Sequence, residues 1–389
     1  MSGKFLTMIP RCGFMNGKIT LLTPYWFLLF TIGFGWFLIA PLVPDVISTF
    51  HASLNQAILL ISIYGYAVVI VGLIAGFISA KFSVRLSLYV SAVLTLIGFL
   101  GRIFSTTYLD LLLFQTISAI GYPMAIAPVG GVVESVMQGR SHTLIGVSVG
   151  ILFGGMSAGS LLGPYFSGLN SAFLASFILS IVSLVLVFSL VRKYTNVQVQ
   201  RSLRGSFAPR MILNWYVGLA VASLSVGLGG IASEMLGLHH VPNAEFVGGE
   251  ASSLTFIGSA VGAIVLPTLF ENLNRVKLGL IVNGFMTLVS AVIIAYTLVN
   301  PISVDLILAS YFLYGFFGNS LWSMSLASLN KFVSDPSRSG LATSMFSVVS
   351  NLGVALIPGY LGGLFVQGEP GIIFVGTVEA VAFILSFFL

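Results

Sequence analysis

Few side chains among these 389 residues can move a proton, and fewer still lie away from the ends of apolar runs. Glu379 is the deepest acid, eight positions past Gly371 in an apolar run that reaches Leu389. A charge at mid-bilayer costs at least ~3 kcal/mol, so a carboxyl there needs a reason. It reads either as a proton carrier or as a protonated acid bonded to a neighbouring helix. Asp45 and Glu234 stand near the ends of two other apolar runs. Each is placed to take up a proton, attract a cation or rest hydrated at the interface. Arg102, near the end of a further run, is expected to pair with Asp110 or lie at lipid headgroups. His239 and His240 precede Glu245, but no thiolate or spaced His and acid set accompanies them, so no metal site is expected. The clustered His, Asp or Glu of a membrane-embedded enzyme are missing from the sequence. So is the Gly-x-x-x-x-Gly-Lys-Ser/Thr loop of an ATP-driven pump. The reading is therefore not an enzyme, with no cofactor.

These residues are carried by a chain that is 57% hydrophobic and 7% charged, with 43 glycines and a mean hydropathy of +1.06. An ordinary soluble domain carries about 25% charged residues. A water-soluble enzyme, a nucleic-acid binder and a disordered chain are all disfavoured, and the lipid bilayer is the expected surroundings. The single cysteine, Cys12, forms no intramolecular disulfide. A spanning helix takes about 20 apolar residues. Dividing the chain at charged, proline and polar clusters gives twelve such spans: 23–47, 55–80, 85–107, 109–136, 142–168, 170–191, 211–238, 248–271, 277–299, 303–333, 340–366 and 371–389. The first is too long for a signal-peptide core and lacks a small-x-small cleavage site, so it reads as a retained helix. With the N-terminus in the cytoplasm, every Lys and Arg except Arg102 falls in the tail or in the even-to-odd loops, as the positive-inside rule expects. Both termini are then cytoplasmic. Tyr25-Trp26 and Trp215-Tyr216 anchor the inner ends of spans 1 and 7.

Several features recur about half a chain apart. Pro164 in span 5 and Pro358 in span 11 are 194 positions apart, and Arg85 and Lys277 are 192 apart. The organisation expected is a tail at 1–22, a six-helix bundle at 23–191, a basic linker at 192–210 and a second six-helix bundle at 211–389. Two such repeats about a central axis suggest alternating access. Span 5 carries Gly150, Gly154, Gly155, Gly159, Gly163 and Pro164. Small residues at this spacing predict close helix packing, with Pro164 as a potential kink. Span 11, with Asn351, Gly353, Pro358, Gly362 and Gly363, looks like its counterpart.

Twelve spans, a six-plus-six repeat and a basic central loop resemble the major facilitator superfamily over essentially the whole chain. The family's loop 2–3 signature is Gly-x-x-x-Asp-Arg/Lys-x-Gly-Arg-Arg/Lys. Here the stretch reads Gly76-Phe-Ile-Ser-Ala80-Lys81-Phe-Ser83-Val84-Arg85, keeping the first glycine and two basic residues but not the acid. The second-half copy retains Glu271, Arg275 and Lys277. The resemblance implies a cytoplasmic gate involving Gly76, Lys81, Arg85, Glu134, Glu271 and Arg275, with Glu134 as a partner for Lys81, Arg85 or Arg140. In the family's span-4 motif a membrane Arg stands where this chain has Gln115, so the role of that Arg is not carried over. Glycine-rich span 5 resembles a motif often noted in antiporters.

The resemblance further implies an all-α fold whose spans 1, 4, 7 and 10 line a cavity. The residues then expected to bind solute are Trp36, Tyr64, Gln115, Tyr122, Asn319 and Trp322, an aromatic and weakly polar lining without a fixed cation in those spans. That favours a neutral, amphipathic or cationic small organic solute, with a small monovalent anion as the alternative. The expected function is secondary active transport, with proton coupling through Glu379, Asp45 or Glu234, or uncoupled facilitation instead. The expected setting is a monomer in the plasma membrane, with solute, lipid and protons as partners and no nucleic acid.

Overall fold

The structure, a computed structural model, describes residues 20–136, 141–194, 208–329 and 339–389. Fourteen α-helices stand among the described residues: α1 (Thr23–Phe37), α2 (Val43–Phe50), α3 (Leu54–Lys81), α4 (Val84–Ile103), α5 (Tyr108–Ile126), α6 (Val129–Val136), α7 (Ser141–Leu162), α8 (Leu169–Leu190), α9 (Met211–Leu238), α10 (Ala244–Asn272), α11 (Val276–Val299), α12 (Val304–Ser328), α13 (Ser339–Val366) and α14 (Glu369–Ser386). Twelve stretches among them are long and apolar enough to cross a membrane. With no water in the hydrocarbon core, helices satisfy the backbone of such stretches internally.

Helix starts follow from local chemistry. Ser53 and Gln56 form a capping box on α3, and Thr107 and Asp110 form one on α5. Asp110 is thereby engaged by the backbone N–H groups of Thr106 and Thr107 and by the Thr106 hydroxyl. It is not a partner of Arg102.

Three spans differ from the sequence expectation, each for a reason involving proline. Span 1 breaks after Phe37: residues 38–42 form a turn and the chain re-enters helix as α2, with Pro44 in its first turn. Span 4 breaks at Ala127-Pro128. Pro128 has no N–H for the carbonyl of Met124, and Ser87 Oγ donates to that carbonyl at 2.6 Å instead. Span 5 ends at Leu162, and Gly163–Tyr165 forms one 3-10 turn. Pro164 terminates this helix rather than kinking it.

Two bodies of core are visible. One is built almost wholly from residues 22–194 and the other from residues 217–389, which matches two six-helix halves. Lys81, Arg85, Arg192, Arg210, Arg275 and Lys277 all stand at helix ends on one side of the alternating bundle, here called the basic face. The halves meet where α3 packs on α13 and α7 on α10. The following contacts lie in the half of each helix toward the other, opposite face. Ser157 Oγ lies 2.7 Å from Ser253 Oγ, and Ser160 Oγ lies 3.1 Å from Ser252 Oγ. Phe37 meets Phe256 edge-on at 4.4 Å. At Gly65, a Cβ would come within 2.6 Å of Ala355 N, so α3 and α13 touch backbone to backbone. Toward the basic face, no neighbouring atom among the described residues lies within 4 Å of a Cβ built on Gly76, Gly146 or Gly150.

Candidate functional site

The first-half residues come together. Trp36 on α1 stacks on Tyr64 of α3, with centroids 4.5 Å apart and planes 6° apart. Tyr122 of α5 lies 5.3 Å from Trp36 at a tilt. Hydrogen bonds fix the stack to backbone carbonyls of α3. Trp36 Nε1 donates to Ile61 O at 2.8 Å, and Gln115 Nε2 donates to Leu60 O at 2.7 Å. Gln115 is fully buried, and its Oε1 has no hydrogen-bond partner among the described residues.

Arg102 joins this group, against expectation. It is 1% exposed and lies at neither the headgroups nor Asp110. Its guanidinium donates to Gly35 O at 2.8 Å, Ser118 Oγ at 3.2 Å and Tyr64 Oη at 3.3 Å. The reason is direction. A helical side chain leans toward its helix N-terminus, and α4 runs from the basic face to the opposite face. The last turn of α4 therefore aims Arg102 inward, away from the nearer surface. Sequence spacing alone placed its Cα correctly, but did not follow its side chain. A fixed cation does stand beside the aromatic group, contributed by span 3.

The second-half residues do not join that stack. Asn319 Nδ2 donates to Ser259 Oγ at 2.6 Å, tying α12 to α10. Trp322 packs edge-on against Phe346 at 5.1 Å, and its Nε1 reaches Ser350 Oγ at 3.4 Å. Both therefore hold α12 to its neighbours.

Glu379 is fully buried on α14. Its Oε1 lies 2.8 Å from the Tyr314 hydroxyl, which also lies 3.3 Å from Val221 O. Its Oε2 has no hydrogen-bond partner among the described residues. Sequence reasoning found the acid but missed Tyr314 as its contact, because they are 65 positions apart. Asp45 and Glu234 are half-buried. Asp45 lies in the first turn of α2, past the break in span 1, and burial raises its carboxyl above the ordinary value.

The Arg85 guanidinium donates to the carbonyl of Tyr194, after the end of α8. The Tyr194 hydroxyl continues to Leu21 O at 2.8 Å. Lys81 lies over the rings of Phe77 and Phe82 at 5.3 and 5.4 Å. Gly76 stands open, and Glu271 and Arg275 are exposed. The Glu134 side chain and Arg140 lie outside the described residues.

In the glycine stripe the contacting set is Gly155, Gly159 and Gly163. A Cβ at Gly155 would fall on Phe30 O, one at Gly159 on Phe34 O, and one at Gly163 within 2.5 Å of Pro41. Gly154 touches nothing and is not part of the packing face. Pro164 stands 3.3 Å from a Cβ at Gly249, and Pro358 stands 3.5 Å from one at Gly227. Among the described residues, no cluster of three His, Cys, Asp or Glu side chains is placed to hold a metal.

Comparisons with known proteins agree with this architecture. No curated protein matches the sequence. Among solved structures, the fold is similar to that of a mutant nucleoside transporter NupG, with a TM-score of 0.73 and 14% identity. That match covers 95% of this chain and 98% of the other. The sequence profile described as Major Facilitator Superfamily matches residues 25–239. With twelve apolar helices long enough to span a bilayer and a profile match over more than half its length, the chain belongs to the Major Facilitator Superfamily and is an integral-membrane transporter of that fold.

Proposed function

We propose that the protein is a secondary transporter of the plasma membrane that moves a small organic solute by alternating access and carries a proton on Glu379. The basic face is the cytoplasmic one, and the described conformation is closed at the opposite face. The seam of Ser157, Ser253, Ser160, Ser252, Phe37 and Phe256 supports that state. Solute lies on the Trp36, Tyr64 and Tyr122 rings in the first half. Gly76, Lys81, Arg85, Glu134, Glu271 and Arg275 assemble only when the basic face closes.

One observation carries the coupling role. Glu379 is a fully buried carboxyl whose described polar contact is a single tyrosine hydroxyl, and one of its oxygens is unsatisfied. Ionising a carboxyl there, without a cation beside it, costs several kcal/mol. Proton loss is therefore tied to a change in its surroundings. Tyr314 sits on α12 against Val221 of α9, so movement of either helix alters that contact.

Infrared difference spectroscopy on the purified protein tests this without a known solute. We expect a protonated-carboxyl band that titrates in the parent and is absent from Glu379→Gln. A parent spectrum with no such titration, or an identical one in the variant, eliminates Glu379 as the carrier. Flux would then be uncoupled from protons at this group. Nucleosides belong in the first panel of solutes, because the similar NupG fold is that of a nucleoside transporter.

A further inference from the structure

Arg102 is a permanent charge with no opposite charge beside it. Guanidinium stays protonated in any protein setting. Its three acceptors, Gly35 O, Tyr64 Oη and Ser118 Oγ, are all neutral, and its Nε has no hydrogen-bond partner among the described residues. The Phe99 ring lies 4.2 Å from the guanidinium carbon and the Phe173 ring 6.0 Å. These π contacts return part of the desolvation penalty. A buried charge of this kind still carries a net penalty. A neutral amide would tie Gly35, Tyr64 and Ser118 together without it. The charge is therefore suited to a negative group that is not part of the chain.

The surroundings limit that group. Tyr64 gives its hydroxyl to Arg102 and its ring face to Trp36, so the cation and the aromatic stack share one residue. A flat ring fits against such rings, by replacing or extending the stack. A carboxylate matches the fork of guanidinium donors, including the unpaired Nε. A single guanidinium balances one negative charge, and no second Lys or Arg contacts this group among the described residues. We propose that Arg102 is the recognition group for a planar aromatic or heteroaromatic monocarboxylate, whose ring lies on Trp36, Tyr64 and Tyr122. The site is sealed in the described conformation, and parting of Tyr64 from Trp36 admits the solute.

This proposal rests on the transporter reading, but its test uses binding alone. Purified protein in detergent is titrated with benzoate and nicotinate, and with benzamide and nicotinamide as neutral matches in shape. Thermal stabilisation and calorimetry are the readouts. Each acid is expected to bind at least about tenfold tighter than its amide, which corresponds to about 1.4 kcal/mol. Arg102→Lys should weaken the acids about tenfold, because an ammonium lacks the fork. Arg102→Gln should remove the preference for acid over amide. Equal binding of acid and amide by the parent protein overturns the proposal, even if Arg102→Gln does not fold. Failure of both acids to bind, or undiminished acid binding in Arg102→Gln, overturns it too. Acid binding without flux of the acid in proteoliposomes removes it as the transported solute and leaves this site standing. Flux of a neutral solute without acid binding removes this site and leaves the transporter reading standing.

Discussion

At the scale of single residues, environment and not type decides what a side chain does here. Arg102 is a base and Glu379 an acid, each fully buried and each bonded to a tyrosine of its own half. Glu379 was legible as a deep acid because it stands in the middle of an apolar run. Arg102 was not, because its Cα lies near a helix end and only the lean of its side chain brings it inward. The same distinction separates the glycines of α7. Gly154 and Gly159 look alike in sequence, yet one faces open space and the other faces the carbonyl of Phe34. Gly159→Ala should lower stability by about 1–3 kcal/mol, since backbone on both sides resists displacement. Gly154→Ala should leave it unchanged. Thermal midpoints of the two variants check this, and equal losses would contradict the assignment of the packing face.

At the scale of elements, helix type and number were readable from hydropathy, while interruptions were not. Prolines at 128 and 164 were visible, but a proline in a transmembrane run kinks, breaks or ends its helix according to what satisfies the freed carbonyl. Pro128 frees the carbonyl of Met124, and Ser87 from the neighbouring helix α4 takes it. Ser87→Ala should therefore cost about 1 kcal/mol, the usual worth of such a bond with its buried acceptor left alone. In a Pro128→Ala background the N–H restored at that position can serve the carbonyl, and the same Ser87→Ala change should cost much less. A double-mutant cycle on unfolding measures the difference. Additive effects would show that Ser87 does not stand in for the missing N–H.

At the scale of the whole molecule, two helix bundles share a seam that includes paired hydroxyls toward one face. Paired hydroxyls are a weak lock, as hydrogen bonds of about 0.5–1.5 kcal/mol net should be in a contact that must open. Cysteines at Ser157 and Ser253, in a Cys12→Ser background, should cross-link under oxidation and stop solute flux, with recovery on reduction. Undiminished flux in the cross-linked protein would show that this face does not open. The sequence by itself determined the class of protein, the number of spans, the division into halves and the placing of basic residues on one side. Those properties follow from sums over many residues of hydropathy and charge, which need no partner to be read. Only the tertiary structure decided that Arg102 meets Tyr64, that Tyr314 meets Glu379, that Arg85 meets the Tyr194 carbonyl, and that Asn319 and Trp322 stay apart from the first-half stack. Each of these depends on the rotation and axial offset of one helix against another. Packing across the bundle sets those two quantities, and hydropathy along a single span is nearly blind to them.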